Sequence, residues 1–116
     1  MFKTVSVIGL GYIGLPTAAM LASRKLRVIG IDVNQHAVDT INQGKIHIVE
    51  PELDMLVHAA VTGGYLSAQT KAAPADAFMI AVPTPLGPNH APDISYVEAA
   101  ARAIAPKLET DNLVIL

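Results

Sequence analysis

Three glycines and one aspartate have a spacing that points to chemistry. Gly9, Gly11 and Gly14 fit the pattern G-x-G-x-x-G, and Asp32 follows at about the 20-residue spacing that accompanies this pattern. In such a turn the first glycine allows a sharp exit from a strand. The second lets a phosphate approach the bare backbone, and the third lets a helix pack closely on the sheet. The pattern is informative only where a strand precedes it and a helix follows.

The chemistry that these residues indicate is binding of a dinucleotide. The amides of Tyr12 and Ile13 would donate to the diphosphate at the positive end of a helix, and Asp32 would accept hydrogen bonds from the adenosine ribose. A carboxylate there repels a 2′-phosphate, and Val33 and Asn34 supply no arginine to bind one, which favours NAD over NADP. The alternative is a purely structural turn, in which Asp32 caps the next segment and Tyr12 packs on the first strand.

The elements around these residues alternate between strand and helix. Apolar runs predict strands at residues 5–8, 28–31, 66–70, 77–82 and 113–116. Helices are predicted at 15–23, at 35–43 between an Asn34 cap and Gly44, from 51 to about 61, and from a capping box at Ser95 and Glu98 to about 108. A proline-rich loop covers residues 83–92. This alternation predicts an α/β fold, a Rossmann-type doubly wound parallel sheet in a single domain.

Composition narrows the classes of function. Hydrophobic residues make up 52% of the chain and charged residues 16%, which supports a packed core rather than disorder. The eight Lys and Arg are scattered and the net charge is −2, so nucleic acid and anionic membranes are not expected as partners. There is no cysteine, and the four histidines fall on separate predicted segments, so no metal site is expected. His47 and Glu50 are interpreted as loop residues, with a role beside the cofactor or an interdomain cleft as the alternative.

The last four residues form an apolar run, Leu113 to Leu116, typical of a buried strand. Natural domains rarely end on such a run without a polar tail. We therefore expect residues 1–116 to be an incomplete dinucleotide-binding domain.

Three stretches resemble the UDP-glucose/GDP-mannose 6-dehydrogenase family. They are residues 7–16 around the glycine motif, residues 81–85 with Thr84 after the fourth strand, and residues 91–97 with the Ala-rich helix and last strand that follow. The resemblance covers essentially the whole chain. Within the family, residues 34–42 and 46–51 are most similar to members that act on UDP-N-acetyl-D-mannosamine.

The resemblance implies an enzyme that oxidises the sugar C6 alcohol to a carboxylate with two NAD. It implies cofactor contacts at Tyr12, Ile13, Asp32 and Thr84, besides the three glycines. It places the catalytic cysteine in a middle domain and the UDP site in a C-terminal domain, both beyond residue 116. This chain would then hold no catalytic residue and be inactive alone, as part of a cytoplasmic homodimer in polysaccharide biosynthesis. The alternatives are another UDP-sugar or GDP-mannose 6-dehydrogenase, another NAD dehydrogenase of the same fold, or a non-catalytic NAD-sensing module.

Overall fold

A computed structural model describes residues 3–50, 52–83, 94–109 and 112–115, and these residues form five strands and four helices. A short 3-10 turn, Ala105–Lys107, extends the last helix. The elements are β1 Thr4–Ile8, α1 Gly14–Ser23, β2 Arg27–Ile31, α2 Gln35–Asn42, α3 Leu53–Thr62, β3 Leu66–Gln69, β4 Ala77–Ile80, α4 Ser95–Ile104 and β5 Leu113–Ile115.

The strands form one parallel sheet in the order β3-β2-β1-β4-β5. The chain moves outward from β1 to β3 on one side, then returns to place β4 against the other side of β1. This reversal leaves a crevice outside the carboxyl ends of β1 and β4, where open α/β sheets bind their ligands. The predicted doubly wound parallel sheet is confirmed.

Helices cover both faces of the sheet. On one face, the helices α1, α2 and α3 enclose a core that includes Val7, Leu15, Ile41 and Val57, all fully buried. On the other face, α4 packs Ala100 and Ile104 against a smaller cluster around Phe78. Because both faces are covered, the central strands are almost continuously apolar, as parallel strands usually are.

Local signals explain where α1 and α2 begin and end. The buried positions of α1 include Leu15, Ala18, Ala19 and Ala22, which recur at the spacing of one helix face. The side chain of Asn34 accepts a hydrogen bond from the Ala37 amide at 3.2 Å, so the predicted cap of α2 is confirmed.

Three expectations about the second half of the chain need correction. The strand predicted over 77–82 ends at Ile80, because β1 ends at Ile8 and residues 81–82 continue beside Gly9 instead. Helix α4 has Ile94 rather than Ser95 at its N-cap position. The last strand is not buried. Its three described side chains keep 41–42% of their surface exposed, because β5 lies at the edge of the sheet that the described residues form and pairs there with β4 alone.

None of the helices in the described ranges is long and apolar enough to cross a bilayer.

Candidate dinucleotide-binding site

The glycine motif forms the turn between β1 and α1, at the carboxyl edge of the sheet where the strand order reverses. Gly9 has a φ of +97°, a conformation that residues with a side chain rarely adopt. Its N–H donates to the Ile31 carbonyl at 2.7 Å, and a Cβ at this position would lie 2.7 Å from the Ala81 carbonyl oxygen. Gly9 is therefore held between β2 and the end of β4 with no room for a side chain.

Gly14 and Gly11 differ in what surrounds them. A Cβ at Gly14 would overlap the carbonyl oxygen of Gly9, so this glycine lets the first turn of α1 sit directly on the loop. A Cβ at Gly11 would meet nothing within 4 Å. The fold itself does not require glycine at position 11, but a ligand approaching the backbone there would.

The start of α1 presents backbone donors to this open space. Leu15 and Thr17 donate to the carbonyls of Gly11 and Ile13, which begins the helical ladder. Within the described part of the chain, the N–H groups of Gly11, Tyr12 and Ile13 have no acceptor. Unpaired donors at a helix N-terminus, together with the positive end of the helix dipole, make a site for an anion.

Asp32 lies at the end of β2, directly beside the glycine turn. Its Oδ2 accepts a hydrogen bond from the Leu10 N–H at 2.9 Å, and its Oδ1 accepts one from the Asn34 N–H at 2.9 Å. Each carboxylate oxygen has two lone pairs, so each keeps capacity for a further donor such as a ribose hydroxyl. The bond to Asn34 shows that Asp32 also caps the next segment, so the structural and binding interpretations are compatible.

One interpretation of the sequence placed the Tyr12 side chain against β1, and the structure contradicts it. This side chain is 64% exposed and lies along the outer surface of α1. Leu10 does the packing instead, since it is fully buried and covers Gly30 of β2. A Cβ at Gly30 would come within 2.8 Å of the Leu10 Cδ1 atom. Sequence reasoning missed this pair, although a glycine inside a strand is itself a signal of close approach by another group.

Two further predictions concern Thr84 and a metal site. Thr84 lies outside the described residues. The segment that leads to it, residues 81–82, runs beside Gly9, and therefore along the same crevice. In the described part of the chain, no group of three His, Asp or Glu side chains is arranged to hold a metal ion.

The residues present fit a dinucleotide. The open approach at Gly11 and the free amides suit a diphosphate, and the Asp32 carboxylate beside them suits a ribose diol. A parallel sheet of this strand order, with this turn at its reversal, defines a dinucleotide-binding domain of the Rossmann type.

Comparison with known proteins identifies the family. The sequence matches the UDP-glucose/GDP-mannose dehydrogenase family, NAD binding domain, over residues 3–116. The chain therefore belongs to this family, which confirms both the resemblance noted in the sequence and NAD as the cofactor.

Similar proteins are named for different sugars. An NDP-N-acetyl-D-galactosaminuronic acid dehydrogenase from Ralstonia nicotianae is 70% identical, and a UDP-N-acetyl-D-mannosamine dehydrogenase from Yersinia pestis is 66% identical. Each match covers 99% of this chain and 27% of the relative. The structure of a UDP-N-acetyl-mannosamine dehydrogenase from Staphylococcus aureus superimposes with a TM-score of 0.93 at 39% identity, covering 96% of this chain and 27% of that one. The chain thus spans about a quarter of the length of the relatives it matches.

Proposed function

We propose that this chain is the cofactor domain of a nucleotide-sugar dehydrogenase that oxidises UDP-N-acetyl-D-mannosamine to UDP-N-acetylmannosaminuronate. The reaction converts the C6 alcohol to a carboxylate and uses two NAD. The observation that carries the cofactor role is the Asp32 carboxylate bonded to the Leu10 N–H of the glycine turn. Relatives at 64–66% identity from several bacteria, and solved structures at 38–39% identity, are named for this sugar, which supports the choice of substrate.

Each proposed cofactor contact has a distinct physical basis. Gly9 and Gly14 shape the turn, and Gly11 leaves the backbone open to the diphosphate, which the Tyr12 and Ile13 amides bind. Asp32 binds the ribose hydroxyls and disfavours a 2′-phosphate by charge repulsion. Thr84 is proposed as a further contact because it follows β4 in the sequence, and ligands bind beyond the carboxyl ends of strands in open α/β sheets.

Catalysis is assigned to other parts of a longer enzyme. A thiolate nucleophile cannot come from this chain, because its sequence contains no cysteine. A middle catalytic domain and a C-terminal UDP-binding domain would supply the nucleophile and the UDP site, and this chain would not turn over a sugar alone. The complete enzyme is proposed to be a cytoplasmic homodimer in polysaccharide biosynthesis.

A second candidate substrate is a nucleoside-diphosphate sugar of the N-acetyl-D-galactosamine series. The 70% identity to the Ralstonia nicotianae protein favours it. The two candidates differ in the sugar, and the cofactor contacts proposed here are the same for both.

The decisive experiment uses the complete polypeptide that contains this chain. It is incubated with NAD and, in separate reactions, UDP-N-acetylmannosamine, UDP-N-acetylgalactosamine and UDP-glucose, and NADH is followed by absorbance. We expect two NADH per sugar, with the highest kcat/KM for UDP-N-acetylmannosamine. Preference for the galactosamine sugar would select the second candidate. Binding of NAD without turnover of any sugar would favour a non-catalytic NAD-sensing module.

A further inference from the structure

A groove of about 430 Å³ runs between α1 and α3, and its lining includes Tyr12 of the glycine turn. On the α1 side it is lined by Tyr12, Pro16, Met20 and Ser23. Tyr12 lies in the turn before α1, whereas Pro16, Met20 and Ser23 are spaced by four and three positions within the helix and form a single stripe on it. On the α3 side it is lined by residues that include Leu53 and Leu56, which share a face in the same way.

The stripe on α1 is distinct from the face that builds the core. Leu15, Ala18 and Ala22 face the sheet, whereas Tyr12 and Met20 keep 64% and 59% of their surface exposed. Leu56, on the opposite wall, is 45% exposed. Single exposed apolar residues are common, but a contiguous patch of them marks an interaction surface.

The charged side chains that line this groove are both acidic. Glu50 and Glu52 line it immediately before α3 begins, and none of the described lining residues is basic. The occupant therefore meets apolar side chains and two negative charges. A complementary surface carries apolar side chains flanked by Lys or Arg.

We propose that this groove is the docking site of an amphipathic protein helix with an apolar face and basic flanking residues. Two helices form its walls and offer side chains rather than free backbone groups, so a docked strand would find no partners for its own N–H and C=O groups. A helix satisfies its backbone internally and needs only the apolar stripe. From Pro16 to Ser23 the stripe is roughly 10 Å long, which matches about two helical turns.

A second copy of this chain is a poorer occupant. A two-fold dimer through the groove would place the same patch of each copy against the other. Such a contact would enclose the Glu50 and Glu52 carboxylates of both copies with no basic lining residue to pair with them, and unpaired like charges disfavour it.

The test uses two synthetic peptides and the 116-residue chain. Both peptides are alanine-based helices of about four turns with leucines along one face. One carries lysines beside the leucines, and the other carries glutamates at the same positions. Isothermal titration calorimetry measures both affinities, and we expect the lysine peptide to bind at least about tenfold more tightly.

Variants of the groove identify the site and the charge effect separately. Met20→Gln and Leu56→Gln should each weaken binding of the lysine peptide by roughly tenfold or more, because each replaces an apolar side chain of the groove with a polar one. The double variant Glu50→Lys/Glu52→Lys should reverse the preference towards the glutamate peptide. Met55→Gln and Asp54→Lys are matched controls on the same helix outside the groove lining, and they should leave both affinities unchanged. Circular dichroism melting verifies that each variant is folded.

Three results would overturn the proposal. The first is equal binding of the two peptides, or none at concentrations of about 1 mM. The second is a loss of affinity for the lysine peptide that is as large in Met55→Gln as in Met20→Gln, which would mean non-specific association. The third is a dimer in sedimentation analysis that Leu56→Gln dissociates, since this would assign the groove to a second copy.

Discussion

The backbone N–H of Leu10 donates to the Oδ2 of Asp32, and this bond joins the glycine turn after β1 to the end of β2. The Asn34 N–H holds the other carboxylate oxygen. The carboxylate is therefore held from two sides before any ligand binds. A ribose that binds here meets an acceptor already in place, which lowers the entropic cost of binding.

Replacing this carboxylate should change both affinity and cofactor preference. Asp32→Ala removes the acceptor for two ribose hydroxyls, and hydrogen bonds to a charged group contribute about 1.5–3 kcal/mol each. We expect the Kd for NAD to rise by roughly a hundredfold or more, while the affinity for NADP falls less or increases. Isothermal titration calorimetry with both cofactors measures this, and Asp39→Ala on the exposed surface of α2 is the control.

Asp32→Asn separates charge from hydrogen bonding, because the amide oxygen can still accept from the Leu10 N–H. This variant should relax the discrimination against NADP with a smaller loss of stability than Asp32→Ala. An unchanged preference for NAD in both variants would remove Asp32 from the cofactor site.

Gly11 and Gly14 should respond in opposite ways to alanine. Gly11→Ala places its methyl group in open space, so the free energy of unfolding should hold or rise by about 0.5 kcal/mol while NAD binding falls steeply. Gly14→Ala would drive its methyl group into the Gly9 carbonyl oxygen, and overpacking of this kind costs about 1–3 kcal/mol or more. Urea unfolding and NAD titration of both variants check the contrast. Normal NAD binding by folded Gly11→Ala would contradict the diphosphate position.

Features that depend on neighbouring residues could be predicted from the sequence. The Asn34 cap and the strand-turn-helix around Gly9 follow from local rules and agree with the structure. The position of Asp32 beside the turn was also predictable, since parallel strands place their carboxyl ends at one edge.

Features that depend on residues far apart in the chain were not found from the sequence. Leu10 covers Gly30, and the side chain of Asn42 bonds to Ala68 across 26 positions. Nothing in the local sequence indicates which of these partners will meet. The outward position of Tyr12 is of the same kind, because it depends on where α3 packs.

Acid should destabilise the protein partly through Asp76. Its carboxylate accepts from the Thr4 N–H at 2.9 Å and the Lys3 N–H at 2.8 Å, and these bonds lower the pKa of Asp76 below its ordinary value of 3.8. Because the folded pKa lies below the unfolded one, this stabilisation is present above the unfolded pKa. It is lost as the pH falls through the folded pKa.

Asp76→Asn should therefore melt below the wild-type protein near neutral pH, and this difference should shrink on acidification to about pH 2. Thermal melting by circular dichroism across this range measures the difference. The control is Asp39→Asn, because the Asp39 carboxylate accepts a hydrogen bond from the Gln35 side chain within the same helix. A difference that stays constant with pH would show that the Asp76 charge does not stabilise β1.

Asn42 should protect the outer edge of β3. Its Nδ2 donates to the Ala68 carbonyl at 2.8 Å and its Oδ1 accepts from the Ala68 N–H at 2.9 Å, so the side chain takes the place of a neighbouring strand. Asn42→Ala removes both bonds and should lower the free energy of unfolding by roughly 1–3 kcal/mol.

Asn42→Asp should destabilise at least as much as Asn42→Ala, because it sets a carboxylate oxygen against the Ala68 carbonyl. Urea unfolding compares both with Gln43→Ala, an exposed neighbour whose replacement should change stability little. If Asn42→Ala unfolds at the same urea concentration as the wild-type protein, water satisfies this edge as well as the amide does. The two bonds then serve to hold α2 in register with β3 rather than to stabilise the fold.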